Sequence, residues 1–120
     1  MKTYSDADPT PVIDWELGIK LAGNNRVLAI DMLKIFAKSL PDEMNAIIQA
    51  THTHNTVELL LHLHKLRGGV SYCGLPRLKK TIIAFEKDVK KNKTKNLTSC
   101  FAEFENEVVL ALDRIGRITE

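Results

Sequence analysis

The chain predicts an all-α protein: an antiparallel four-helix bundle with a short additional helix at its N-terminal end. Three observations carry that expectation. Apolar residues recur at spacings of three and four through four separate stretches, the period of a helix with one buried side. No stretch alternates apolar and polar residues in the period-two manner of a half-buried strand. The stretches are joined by short segments rich in Gly, Asn, Pro and Lys, and helices so joined pack as antiparallel neighbours. A length of 120 residues is one domain's worth, enough for a single modest core.

Residues 1–11 hold Ser, Asp, Thr and the prolines Pro9 and Pro11, with little to bury. They read as a flexible leader or linker remnant, which leaves 12–120 as the folded domain. Asp14 is a suitable N-cap for a short helix from Trp15 to about Ala22. Gly23-Asn24-Asn25 ends it, since both residue types tolerate the left-handed backbone at a helix terminus. Trp15, the sole tryptophan, is expected to anchor this helix across one end of the bundle.

From Arg26 to about Leu40 the apolar set is Leu28, Met32, Ile35, Phe36 and Leu40. Pro41 interrupts it, because proline lacks the N–H a helix interior needs. Two outcomes fit: a kink, or a stop with a restart at Pro41-Asp42-Glu43, where Pro and acidic residues suit a first turn. Met44, Ile47 and Ile48 carry the segment to about Ala50. Residues His52 to Thr56 form a turn in which Asn55 or Thr56 caps the next helix.

That helix spans about Val57 to Cys73, with a stripe of Leu59, Leu63, Leu66, Val70 and Cys73. Gly68 and Gly69 lie inside it, at roughly 1 kcal/mol each relative to alanine. Close approach by another molecule is the reason the sequence suggests; the alternative is a Gly-Gly turn that ends the helix. Gly74-Leu75-Pro76 is the stop, and Pro76 opens a helix lined by Leu78, Ile82, Phe85 and Val89, with Ile83 beside them. Lys90 to Asn96 is a solvated basic turn. Leu97 to about Arg117 makes the last helix, through Phe101, Phe104, Val108, Leu112 and Ile115.

Composition excludes several classes of function. The net charge of +2 is too small to argue for nucleic acid or an anionic membrane. Arg77, Lys79, Lys80, Lys87 and the Lys90–Lys95 run are offset by Glu86, Asp88 and an acidic last helix, and few aromatics are present to stack bases. No apolar run approaches the ~18 residues of a membrane span, and Met1 to Asp6 lacks a signal peptide's apolar core. A soluble, cytoplasmic, monomeric domain is expected, with any membrane anchor on a longer parent protein. Cys73 and Cys100 lack CxxC spacing and read as reduced, buried thiols. Of the four histidines, His62 and His64 are two residues apart and point about 200° from each other on a helix, so they do not chelate one ion. No metal site is expected, and His52, His54 and His62 receive no role.

On the helical wheel His64 points about 140° from the centre of its own apolar stripe. It therefore faces water. Arg67 and Ser71 lie within about a turn of it, Gly68 lies one turn beyond with no side chain, and Leu60, Leu61 and Val57 form an apolar rim. A nucleophile, a cation, a bare backbone patch and a hydrophobic border suit docking and group transfer.

His64-Lys65-Leu66-Arg67-Gly68 resembles the H-x-L-K/R-G signature of histidine phosphotransfer (HPt) domains. The run on through Tyr72-Cys73-Gly74-Leu75-Pro76-Arg77-Leu78-Lys79 is similar to the C-terminal HPt domain of BarA/GacS-class hybrid sensor kinases. So are Ile13-Asp14-Trp15-Glu16-Leu17 and Asp31-Met32-Leu33…Leu40-Pro41, so the likeness spans roughly Val12 to Ile115. Leu63 before the histidine, and Gly69-Val70 after Gly68, depart from the small residue and the serines often found there. The resemblance implies a phosphorelay carrier, not an enzyme: His64 accepts a phosphoryl group from a receiver-domain aspartate and passes it to a response regulator. It implies that Arg67 stabilises the phosphoryl group, that Gly68, Leu60, Leu61 and Ser71 admit the receiver, and that Mg2+ belongs to the partner. The chain itself would need no cofactor. The competing expectation is a helical interaction module without phosphotransfer.

Overall fold

The computed structural model of the chain describes residues 9–91 and 97–118. Its elements are α1 (Trp15–Leu21), α2 (Arg26–His52), α3 (Thr56–Val70), α4 (Pro76–Lys90) and α5 (Leu97–Gly116). Most of the expected leader, residues 1–8, lies outside the described residues, as does the basic turn beyond Lys91.

The pairing of side chains gives the topology. Along α2 and α3, Glu43 meets His62, and Met32 meets Cys73, so one sequence descends as the other rises. Between α4 and α5, Arg77 pairs with Glu107 and Asp88 with Cys100, again in opposite directions. The four long helices close into an antiparallel ring, α3 against α2 and α4, and α5 against α4 and α2. Leu33, Phe36, Leu40, Ile47, Leu59, Leu63, Leu66, Val70, Leu78, Ile82, Phe85, Phe104 and Val108 fill its centre. Each such side chain contributes roughly 1.5–3 kcal/mol by leaving water. Phe85, Phe101 and Phe104 meet edge-on or tilted, with centroids 5.7–6.4 Å apart.

The short helix is held at one end of the ring by a backbone contact. Asp14 caps it by accepting from the Leu17 N–H at 3.0 Å, and the Asp14 N–H donates to Gly74 O at 2.9 Å. Gly74 has φ +63°, and a Cβ there would stand 2.7 Å from Gly18 Cα. Only glycine permits both the turn and this approach. Trp15 packs against the core from α1, with the Arg26 guanidinium 5.0 Å from its ring centroid.

Several expectations are corrected. Pro41 neither stops nor restarts a helix: α2 runs unbroken through it. The ring lies on the exposed side, and the turns on either side are fixed by fully buried Leu40 and Ile47. Their burial outweighs the roughly 3 kcal/mol cost of an interior proline. The buried stripe of α2 is Ala29, Ile30, Leu33, Phe36 and Leu40, while Leu28 and Ile35 are exposed; Phe36 and Leu40 were expected, and the part of the stripe before them was about one residue out of phase. The histidine-bearing helix, α3, ends at Val70, three residues early, because the chain turns over 71–74 to bring Gly74 against α1. Cys100 is half-buried, with its thiol donating to Asp88 Oδ2 at 2.8 Å.

Candidate functional site

Asn55 starts α3 by accepting the Glu58 N–H at 3.1 Å, which settles the choice of cap. The stripe Leu59, Leu63, Leu66 and Val70 is buried, and this rotation of the helix decides everything on its other side. His64 emerges with 67% of its side chain exposed. Leu63 departs from the resembled pattern because it is a fully buried core residue here. Around the histidine, Leu61 and Val57 are exposed and Leu60 is half-buried against the core.

Two groups converge on the inner nitrogen of the His64 ring. The Arg67 Nη2–H donates to Nδ1 at 3.1 Å. Glu86 Oε2, from α4, stands 3.7 Å from the same nitrogen. Glu86 is buried, 4% exposed, and has two cations at ion-pair distance: Arg67 Nη1 at 3.4 Å and Lys90 Nζ at 3.7 Å. A guanidinium has donors and no acceptor. An N–H from Arg67 to this nitrogen makes Nδ1 the acceptor, which puts the proton of a neutral ring on Nε2.

The two adjacent glycines serve different ends. A Cβ at Gly68 would meet no heavy atom within 4 Å, so the face beside His64 is open. A Cβ at Gly69 would stand 3.3 Å from Phe36 Cε1. Gly69 thus answers to the packing of α2, which corrects the expectation that both glycines make room for another molecule. The Ser71 Oγ–H donates to Arg67 O at 2.7 Å and tightens the end of α3, so its hydroxyl proton is committed to the backbone.

His62 belongs to a different surface. Its Nδ1 lies 3.0 Å from Glu43 Oε1 and its Nε2 3.4 Å from Glu58 Oε2, and only 23% of its side chain is exposed. Lys65 Nζ reaches Glu43 Oε2 at 2.9 Å. Burial alone would raise the Glu43 carboxyl pKa, but hydrogen bonds from Lys65 and His62 outweigh it and hold the group below its ordinary value. His52 and His54 are exposed at the end of α2. Among the described residues, no three or more His, Cys, Asp or Glu side chains gather to hold a metal ion.

Sequence reasoning missed Glu86 and the buried pair Arg77–Glu107, treating Glu86 and Arg77 as parts of a solvated charged face. The signal was present in the helical phase. Glu86 stands four residues after Ile82 and three before Val89, on the stripe itself. Arg77 and Thr81 continue that stripe, and Glu107 stands between Phe104 and Val108 on α5. Charged residues in core phase on neighbouring helices mark buried pairs.

A family model, the Hpt domain, matches residues 31–117. The chain belongs to the Hpt domain family. It is 33% identical over 72 residues to the signal transduction histidine-protein kinase BarA of Escherichia coli K12, covering 60% of this chain and 8% of that protein. To the sensor protein GacS of Pseudomonas syringae pv. syringae it is 35% identical over 81 residues, 68% of this chain and 9% of that protein. The chain thus spans under a tenth of the length of these curated relatives. The crystal structure of the HPT domain from an Hpt sensor hybrid histidine kinase of Shewanella superposes with a TM-score of 0.80. That match is 25% identical and covers 88% of this chain and 92% of the other. In this HPt domain, Leu59 to Val70 is the segment that carries the signature histidine, and its fold is the helical bundle the sequence predicts.

Proposed function

We propose that this HPt domain carries a phosphoryl group on His64 between aspartates of two receiver domains in a two-component phosphorelay. The observation that carries the reading is the placement of His64: 67% exposed, with a guanidinium 3.1 Å from its ring and an open backbone face at Gly68 one turn away. Phosphoryl transfer passes through a loose transition state with charge spread over three oxygens, so it is governed by positioning and electrostatics. Arg67 lies close enough to turn onto those oxygens, and its charge persists at every working pH. The apolar rim of Leu60, Leu61 and Val57 gives a partner a surface to bury.

On this reading the domain is a phosphocarrier, and the receiver supplies the phosphorylated aspartate and Mg2+. One chain suffices, since His64, Arg67 and Gly68 all come from α3 and Glu86 from the same molecule. Among the described residues no helix is long and apolar enough to cross a membrane. The domain would work in the cytoplasm, where kinases draw on ATP, and any anchor would belong to a larger sensor like the BarA and GacS relatives. Incubation with a phosphorylated receiver tests the reading. Acid-labile phosphate is expected on His64, absent in His64→Gln and retained in His62→Gln. Uptake by a folded His64→Gln domain would overturn the assignment.

A further inference from the structure

Four arginines meet at the end of the bundle where α2 and α4 begin and α5 ends. Arg26, Arg77, Arg114 and Arg117 line a cavity of about 650 Å³ there, together with Trp15 and the chain just before it. A cavity of that size takes a small organic molecule. None of the residues assigned above to phosphoryl transfer lines it.

The charges at this end do not cancel. Arg77 is matched by Glu107 at 2.7 Å, with both side chains buried. Arg114 and Arg117 share a single acceptor, Asp113 Oδ2, at 2.9 and 3.2 Å. Arg26 has an aromatic ring where a carboxylate would stand, its guanidinium 5.0 Å from the Trp15 centroid. Three guanidiniums with one carboxylate among them leave an excess of two positive charges. Helix ends add to the field. Arg26 is the first residue of α2 and Arg77 the second of α4, and neither first turn holds an acidic residue. The start of a helix is the positive end of its dipole, where cations are disfavoured and an anion is stabilised.

We propose that this cavity binds a small organic phosphate, a phosphomonoester with a compact apolar body. Its doubly charged head would lie on Arg26, Arg114 and Arg117, whose guanidinium forks match phosphate oxygens in pairs. One compact dianion fits better than two separated carboxylates, because two of the forks already converge on one oxygen. Asp113 is exposed, and a surface ion pair releases its arginines at little cost. The body of the ester would lie on Ile13, Trp15 and Ile118, half-buried side chains packed against the core. This site and the transfer face at His64 stand independently of each other.

Trp15, the sole tryptophan, is part of the wall and reports occupancy. The probe is phenyl phosphate, added to the domain at about pH 8, where a phosphomonoester is doubly charged. A saturable change in tryptophan fluorescence is expected, half complete in the millimolar range or below. Inorganic phosphate and benzyl alcohol, which carry the head or the body alone, should each bind about tenfold more weakly or worse. Arg114→Ala with Arg117→Ala, at two exposed positions, should melt as wild type does and weaken phenyl phosphate by about tenfold or more. Arg26→Gln, on another helix, should weaken it in the same direction. His64→Gln should bind the probe as wild type does. The absence of a saturable change in the millimolar range, or undiminished binding by the arginine variants, would overturn the site. Loss of binding in His64→Gln would place the probe on the transfer face and overturn it equally. Inorganic phosphate binding as tightly as phenyl phosphate would overturn the assignment of an organic ester.

Discussion

Gly68 and Gly69 are neighbours in sequence and opposites in consequence. Gly68 faces open space in a helical backbone, so a side chain there is expected to stabilise the fold by about 0.4–1 kcal/mol while standing where, on the proposed function, a receiver would approach. Gly68→Gln should melt no lower than wild type and lose most receiver-dependent labelling of His64. Normal labelling would show that the partner approaches from elsewhere. At Gly69 the helix gain meets Phe36 at 3.3 Å, a ring held in the core, so overpacking of about 1–3 kcal/mol is expected to win. Gly69→Ala should melt lower than Gly68→Ala.

Glu43 gives a pH-dependent test at the same scale. Its carboxyl is held below its ordinary value in the folded state. The stability it contributes is therefore present above the unfolded value, near 4.5, and is lost as pH falls through the folded value. Glu43→Gln is expected to be less stable than wild type at neutral pH, by about 1 kcal/mol, since its Lys65 partner is 71% exposed and screened by water. The gap should close in acid. A gap that widens below pH 4.5 would mean that the ion pairs with Lys65 and His62 are not its source.

At the scale of helices, α4 and α5 are joined by a charge pair as well as by phenylalanines. Arg77 Nη2 donates to Glu107 Oε2 at 2.7 Å, with the two side chains 5% and 1% exposed. Removing one partner takes a charge-assisted hydrogen bond from a buried ion, at about 3–5 kcal/mol. Glu107→Ala is expected to lower the midpoint of urea unfolding accordingly. Replacing both partners by Met and Leu should cost far less, since the desolvation of both ions is relieved together. Equal losses in the single and double variants would show that packing, not charge, sets the effect. The two thiols are poor nucleophiles for a related reason. Burial pushes Cys73 up to about 11, and burial with Asp88 beside it pushes Cys100 up to about 12.

For the whole molecule, the question is whether α1 belongs to the cooperative unit. Trp15 packs on the core, and the Asp14 N–H···O Gly74 bond ties the helix to the turn between α3 and α4. Tryptophan fluorescence reports α1, and far-UV circular dichroism reports the bundle. Their urea midpoints are expected to coincide in wild type. Gly74→Ala, which forces a Cβ to 2.7 Å from Gly18 Cα at a positive φ, should lower the fluorescence midpoint more than the circular dichroism midpoint. Coincident midpoints in that variant would mean that α1 does not dock independently.

The sequence by itself determined the helices, their order and the direction His64 faces, because a 3.6-residue period is a local property and an uninterrupted apolar stripe leaves only one side for water. It also determined the cap at Asp14, since an Asx side chain bonds a backbone N–H only three residues on, whereas the choice between Asn55 and Thr56 was made by the structure. The continuity of α2 through Pro41 was decided by the tertiary structure. A local rule weighs the missing hydrogen bond; only the packed bundle supplies the burial of Leu40 and Ile47 that outweighs it. The phase of α2 was decided there too, because Leu28 and Ile35 are as apolar as the residues that displaced them, and only the neighbours choose which side is covered. The site divides along the same line. His64, Arg67 and Gly68 were legible because they lie within five residues on one helix. Glu86 was not, because its 3.7 Å distance from His64 is set by how α4 lies against α3, and no spacing within one helix encodes how two helices meet.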